Sequence, residues 1–194
     1  MRVVLATHNR GKAQEFQELL GRKVPRLEIV TYDGPEPVED GTSFEENALI
    51  KARAAASHTG LPALADDSGI CVDVMGGAPG IFSALWSGTH GDAEANIRLL
   101  LAQLADIRDE DRTAHFTATL ALVVPGGEPT LVQGVWPGRI AREPRGEHGH
   151  GYDPIFLPDG HDRSAAELTL EEKNAESHRA RALAAIVPAL RELG

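Results

Sequence analysis

One cysteine in 194 residues leaves no cystine framework to hold this chain together. Cys71 lies in an apolar stretch, where a free thiol reads as a small core hydrophobe. No run approaches the roughly 18 apolar residues that a membrane span needs. Residues 1–6 lead at once into polar positions, which speaks against a signal peptide and sets the expectation of a soluble cytoplasmic protein. Positive charge is also scarce: 19 Lys and Arg stand against 29 Asp and Glu, a net charge of −10 at pH 7. Packing so acidic a surface against a phosphate backbone costs energy, which argues against a nucleic-acid partner. A small phosphorylated ligand is still compatible, because a local cationic pocket overrides the general field. Internal repeats and low-complexity linkers are absent. At about 150 residues per domain, the length fits one domain over 1–194 with room for a sizeable core.

Hydrophobic periodicity lays out the elements. Residues 2–6 read as a short buried strand, followed by a polar loop and an amphipathic helix over 12–20. Phe16, Leu19 and Leu20 share a face of that helix, and Gly21 is its expected stop. A strand is expected over 27–31 and a second helix from Thr42 or Ser43 to Gly60, with Thr42 and Glu45 at capping-box spacing. Residues 63–65 and 70–75 read as two strands separated by a loop, Asp66-Asp67-Ser68-Gly69. Asp92 is placed to cap a helix running to Leu104. In the next strand Ala114, Phe116, Ala118, Leu120 and Leu122 share one face, and Pro125-Gly126-Gly127 turns it into a partner over 130–136. A Gly- and His-rich loop over 143–153 precedes a short strand at 154–157. The end of the chain is helical, opened by Thr169 and Glu172, with Pro188 marking a kink or break. Strands alternate with helices first and pair as a hairpin later, so the class is α/β with a mixed sheet.

Five segments carry candidate chemistry. Thr7, His8, Asn9, Arg10, Gly11 and Lys12 lie between a strand and a helix, where unpaired N–H groups, a glycine and a lysine can receive an anion. A strand-to-helix turn with a solvated lysine fits the same residues. The segment is not a Walker A loop, which needs Gly at Ala6 and Ser or Thr at Ala13. Asp66 and Asp67 are adjacent carboxylates that need a cation or a proton to coexist. Mg²⁺ commonly shares one or two such groups with a substrate's phosphates, while Asp, Ser and Gly also form ordinary turns. The segment Glu45-Glu46-Asn47 lies about four residues before Lys51, so a solvated helix-face pair is expected for Glu46 and Lys51; Glu39 lies outside that helix and is not explained by it. His148 and His150 flank a glycine, but no Cys or HExxH helix supports a zinc site. Lys173, His178 and Arg179 stand near helix starts, where positive charge is poorly placed unless an anion or a carbonyl-rich ligand is bound. His90, His115 and His161 read as isolated.

The order of these segments resembles one family. Thr7-His8-Asn9-x-Gly11-Lys12 is followed by Thr42-x-Phe44-x-Glu46-Asn47-Ala48 with Lys51, and then by Ala65-Asp66-Asp67-Ser68-Gly69. Gly76-Gly77-Ala78-Pro79-Gly80, Gly151-Tyr152-Asp153-Pro154-Ile155-Phe156 and Glu171-Glu172-Lys173-Asn174 with Ser177-His178-Arg179 complete the pattern. It resembles the inosine/xanthosine triphosphate pyrophosphatases, which clear non-canonical purine nucleotides, from residue 3 to about residue 185.

The resemblance implies Mg²⁺-dependent hydrolysis of ITP, dITP or XTP to the monophosphate and pyrophosphate. It also implies an elongated long central mixed sheet flanked by helices, two lobes around an active cleft, and a homodimer. Carried over by motif position, Thr7, His8, Asn9, Arg10, Gly11, Lys12 and Lys51 hold the triphosphate. Glu39 and Asp67 serve the metal, Asp67 also as base for the attacking water, and Asp66 supports them. Ser68 touches the nucleotide, and His150, Gly151, Tyr152, Asp153, Lys173, His178 and Arg179 surround the base. Two positions depart from the family's pattern. His150 stands where Phe usually precedes Gly-Tyr-Asp, and an imidazole is a smaller, titratable stacking surface. Leu85 replaces a common Arg and receives no ligand role. A related pyrophosphatase for modified pyrimidine or methylated nucleotides is the nearest alternative, and a nucleotide sensor without turnover a more distant one. Nudix chemistry lacks its R-E-x-x-E-E helix.

Overall fold

The computed structural model describes residues 1–194. Its strands are β1 (Arg2–Leu5), β2 (Glu28–Thr31), β3 (Ala63–Val72), β4 (Thr113–Val123), β5 (Thr130–Ile140) and β6 (Phe156–Pro158). They form one sheet in the order β2-β1-β3-β4-β5-β6. β1 is parallel to β2 and to β3, whereas β5 and β6 are antiparallel, so the sheet is mixed. The helices are α1 (Arg10–Gly21), α2 (Phe44–Thr59), α3 (Ala93–Gln103), α4 (Leu170–Glu176) and α5 (His178–Glu192). No helix is long and apolar enough to cross a membrane.

Contacts divide the chain into two compact units. The first holds Met1–Asp67, Ala118–Gly134 and Arg181–Gly194; the second holds Ser68–Thr117 and Val135–Ala180. In the first unit the period-two alternation of the strands sorts side chains between two layers. Val3, Leu5, Leu64 and Leu120 pack with Phe16 and Leu20 of α1 and with Leu183, Ile186 and Leu190 of α5. Val4, Ala63, Ala65 and Ala121 face Ala48, Ala52, Ala55 and Ala56 of α2. A seam of alanines on both sides lets that helix lie close against the strands.

The second unit is built round aromatic rings. Phe116 meets Phe156 edge-on at 4.6 Å, and Trp136 meets Phe156 at 5.4 Å. Arg112 is buried beside them. Its guanidinium donates to the carbonyls of Leu104 (2.5 Å), Ile140 (2.9 Å) and Ala141 (2.8 Å).

Several boundaries differ from the sequence reading. Asp66, Asp67, Ser68 and Gly69 are not a loop; they lie inside the continuous strand β3, and Val72 rather than residue 75 ends it. A strand flanked by neighbours on both edges overrides the turn preference of those residue types. Gly21 is helical, and Arg22 caps α1 with its N–H on Leu20. Ser43, not Thr42, caps α2, its Oγ accepting from the Glu46 N–H at 3.2 Å. β5 continues through Pro137 to Ile140, because the Pro137 carbonyl accepts from Asp159 N and Gly138 leaves room for β6. Residues 153–155 form a 3-10 turn ahead of β6. The Thr169–Glu172 capping box is present, but the helical break falls at Ser177, and α5 runs through Pro188.

Candidate active site

The first unit gathers the residues assigned to the triphosphate and metal. β1 ends at Leu5, and the chain enters α1 through a self-capped loop. The Asn9 N–H donates to Thr7 Oγ1 at 3.2 Å, and Asn9 Oδ1 accepts the Lys12 N–H at 3.1 Å. Arg10 and Gly11 follow in the exposed first turn. His8 faces the segment after β2: Nε2 is 2.8 Å from the Gly34 carbonyl, and Nδ1 is 3.1 Å from Glu36. Its ring stacks on Tyr32 at 5.6 Å.

Each of the two adjacent aspartates meets a lysine. Lys12 Nζ lies 2.6 Å from Asp66 Oδ1, a side chain only 6% exposed. Lys51 Nζ lies 2.9 Å from Glu39 Oε2 and 3.2 Å from Asp67 Oδ1. Lys51 therefore does not form the expected solvated helix pair with Glu46, which is five residues away and off the i,i+4 spacing. Glu46 instead accepts from Thr42, at 2.6 Å from the amide and 2.9 Å from the hydroxyl. The pairing of lysines follows from strand geometry. Asp66 shares its strand face with Leu64 and so with α1, while Asp67 shares the other with Ala65 and α2.

Burial acts on this cluster in opposite senses. It pushes the Asp67 carboxyl above its ordinary range, further raised by Glu39 and Asp66, while Lys51 pulls it back. Burial alone lowers the Lys51 ammonium, but Asp67, Asp66 and Glu39 together outweigh it and hold the lysine charged. Asp67 Oδ2 is buried and takes no hydrogen bond. No group of three His, Cys, Asp or Glu side chains forms a metal cage. A hard cation held by one or two carboxylates, water and substrate phosphate needs no such cage. Glu39 and Asp67 offer oxygen donors of that kind, and the orphaned Oδ2 is a ligand position that no protein group fills.

The second unit gathers most of the residues assigned to the base. Gly149 and Gly151 have positive φ, which shapes the turn around His150. Asp153, buried, accepts the His150 N–H at 2.7 Å and is ion-paired with Lys173. Tyr152 is buried, its hydroxyl donating to the Ser83 carbonyl at 2.7 Å, and burial pushes that phenol well above its ordinary range. His178 is buried and stacks on Phe116 at 4.8 Å and on Trp136 at 6.3 Å. Arg179 follows it on α5, half-buried, and Ser68 is half-buried in β3. His115 and His161 are not isolated, since each has a carboxylate neighbour, Asp73 at 3.7 Å and Glu176 at 2.6 Å. Ser83 carried no signal in sequence, yet its Oγ accepts the Ile70 N–H at 2.9 Å and donates to the Gly80 carbonyl at 2.6 Å.

A sequence profile of the Ham1 family matches residues 3–189. The chain belongs to the Ham1 family. A dITP/XTP pyrophosphatase from Leifsonia xyli is 77% identical over 100% of this chain and 97% of its own length. Among solved Ham1-type structures, the nucleoside-triphosphatase, or dITP/XTP pyrophosphatase, of Mycobacterium abscessus aligns with a TM-score of 0.83. Its identity is 52%, over 98% of this chain and 100% of that one. A HAM1 protein from Coxiella burnetii aligns with a TM-score of 0.91 and 44% identity, over 99% of each chain.

Proposed function

We propose that this chain hydrolyses the non-canonical purine nucleoside triphosphates ITP, dITP and XTP to the monophosphate and pyrophosphate, clearing them from the nucleotide pool. It is a hydrolase acting on phosphoric anhydrides. The observation that carries the reading is one ammonium, Lys51, shared by Glu39 and Asp67, with Asp67 Oδ2 buried and unengaged beside it. The names of its Ham1 relatives point to the same chemistry.

Phosphoryl-type displacement asks a protein chiefly for charge neutralisation and a placed water. Lys12 and Lys51 neutralise the triphosphate, including the leaving pyrophosphate, while Thr7, His8, Asn9, Arg10 and Gly11 shape its landing site. Glu39 and Asp67 would hold Mg²⁺, which would supply charge stabilisation and lower the pKa of a bound water. Asp67 takes the proton of the attacking water. The bond between the α and β phosphates breaks, and pyrophosphate leaves. Asp66, held by Lys12, supports the pair.

Ser68, His150, Gly151, Tyr152, Asp153, Lys173, His178 and Arg179 serve the nucleoside and base. Hypoxanthine and xanthine present a 6-oxo acceptor where adenine presents a 6-amino donor. Donors on His178 and Arg179 match the first and oppose the second. A polar site left unpaired by the wrong substrate can reject it by about 10⁴-fold. The reading includes a homodimer and a cytoplasmic location, with no nucleic-acid or membrane partner.

A nucleoside triphosphate panel, with pyrophosphate and phosphate assayed separately, tests it. Pyrophosphate release from ITP, dITP and XTP, far ahead of ATP and GTP and dependent on Mg²⁺, is expected. Equal release from ITP and ATP overturns the base assignment, and release of single phosphates overturns the bond assignment. Sedimentation of the purified chain tests the dimer.

A further inference from the structure

Glu39 is 43% exposed and sits in the irregular segment between β2 and α2, so its own packing does not hold it. Two attachments to α2 do. The first is the ammonium of Lys51 on its carboxylate at 2.9 Å. The second acts on the backbone two residues later, where the Gly41 N–H donates to Asn47 Oδ1 at 3.0 Å. Asn47 is 5% exposed and precedes Lys51 by four residues, so both project from one face of α2. Glycine is required for this approach. A Cβ at position 41 would lie 2.6 Å from Asn47 Oδ1 and 2.7 Å from Glu46 Cβ. Thr42 extends the contact through its two bonds to Glu46.

The two attachments have different fates in the reaction proposed above. Lys51 is assigned to the triphosphate, and a lysine drawn to phosphate loosens its hold on Glu39. The hydrogen bond from the Gly41 N–H to Asn47 Oδ1 involves no group assigned to the substrate. We infer that Asn47 is a positioning residue, which together with Gly41 holds Glu39 in place for the metal once Lys51 has turned to the nucleotide. This inference rests on the proposed assignment of Glu39 and Lys51. Partners one step behind a metal ligand typically change metal affinity by about 10- to 100-fold when removed.

The test measures Mn²⁺ binding to the full chain by electron paramagnetic resonance, with and without a non-hydrolysable α,β-methylene analogue of ITP. Asn47→Leu keeps the bulk and loses the acceptor; Asn47→Asp keeps the acceptor; Gly41→Ala disturbs the contact from the loop side. Thermal melts identify the folded variants, and hydrogen exchange at the Gly41 amide reports the bond itself. With the analogue present, Asn47→Leu and Gly41→Ala should each weaken Mn²⁺ binding by about tenfold or more. Without it, Lys51 still holds Glu39 and the loss should be smaller. Asn47→Asp should restore most of the affinity. Unchanged Mn²⁺ affinity in a folded Asn47→Leu or Gly41→Ala variant overturns the inference, as does an equal loss with and without the analogue. Glu39→Gln separates the two levels of failure. If Glu39→Gln weakens Mn²⁺ binding and Asn47→Leu does not, the positioning role alone falls. If Glu39→Gln has no effect, the metal assignment falls and takes the positioning role with it.

Discussion

Asp66 and Asp67 are consecutive in β3, yet they are neutralised from opposite faces of the sheet, one by Lys12 of α1 and the other by Lys51 of α2. Period-two alternation forces the separation and gives each carboxylate its own cation, although Asp66 still pushes the Asp67 carboxyl up. The arrangement also divides their chemistry. Asp66 pairs with Lys12 at 2.6 Å, whereas Asp67 lies 3.2 Å from a lysine that it shares with Glu39.

Replacing Asp67 by Asn keeps the shape but removes the proton acceptor. Turnover of ITP should fall by at least about 10²- to 10⁴-fold, the usual contribution of a general base. Binding of a non-hydrolysable ITP analogue should still be measurable by calorimetry. Normal pyrophosphate release by Asp67→Asn removes this residue from the mechanism.

Lys173→Met takes the ammonium partner from an almost fully buried Asp153, to which the His150 amide still donates. Breaking a buried pair on one side costs about 3–5 kcal/mol, and urea unfolding should show a loss of that order. The double change Lys173→Met with Asp153→Asn removes the charge as well and should recover much of the loss. A double variant no more stable than Lys173→Met contradicts the account.

Glu172 supplies a pH dependence whose sign is fixed. Its carboxyl is pushed from an ordinary 4.5 down to about 2, first by the hydrogen bonds from Arg163 and then by the Thr169 amide. The folded value lies below the unfolded one, so the contribution is full above pH 4.5 and is lost as pH falls toward 2. The stability gap between the native chain and Glu172→Gln should therefore close across that window. A gap that stays constant from pH 5 to pH 2 counts against it.

Arg112→Met removes a guanidinium donor from three carbonyls at once, of which that of Leu104 keeps the Ile107 N–H. Each orphaned acceptor costs about 1–3 kcal/mol, so a severe loss in thermal stability is expected. Arg112→Lys should restore little, since an ammonium cannot reproduce the planar fork that reaches Leu104, Ile140 and Ala141 together. Full recovery by lysine is the opposing result.

Much of the order of elements was legible because apolar periodicity reports burial directly. Phe16 and Leu20 mark the inner face of α1, and Phe116, Ala118, Leu120 and Leu122 the face of β4, as their packing shows. Asp66 to Gly69 misled for a physical reason: they are turn formers by local preference, and what keeps them extended is pairing with distant strands and with Lys12 and Lys51. Motif order singled out the candidate residues, but not their partners. The five-residue separation of Glu46 and Lys51 is already too long for a facing helix pair, but nothing local names Glu39 and Asp67 as the partners instead. Asn47 and Ser83 escaped notice as fixing points because a buried polar side chain among alanines or in a loop has no periodic signature.

The pairing of Lys12 and Lys51 with carboxylates also bears on how fast a nucleotide arrives. Before encounter, both ammonium charges are already screened by neighbouring acids, and the chain as a whole carries −10. On the proposed assignment, a bare triphosphate is expected to approach a net repelling chain whose attraction becomes available only on contact, when the lysines exchange partners. Added salt should thus speed its association, the reverse of ordinary steering toward a basic cleft. A cation-complexed nucleotide carries less negative charge and should be slowed less by the repulsion. Capture of substrate by this site is then a matter of local exchange after arrival, not of long-range attraction before it.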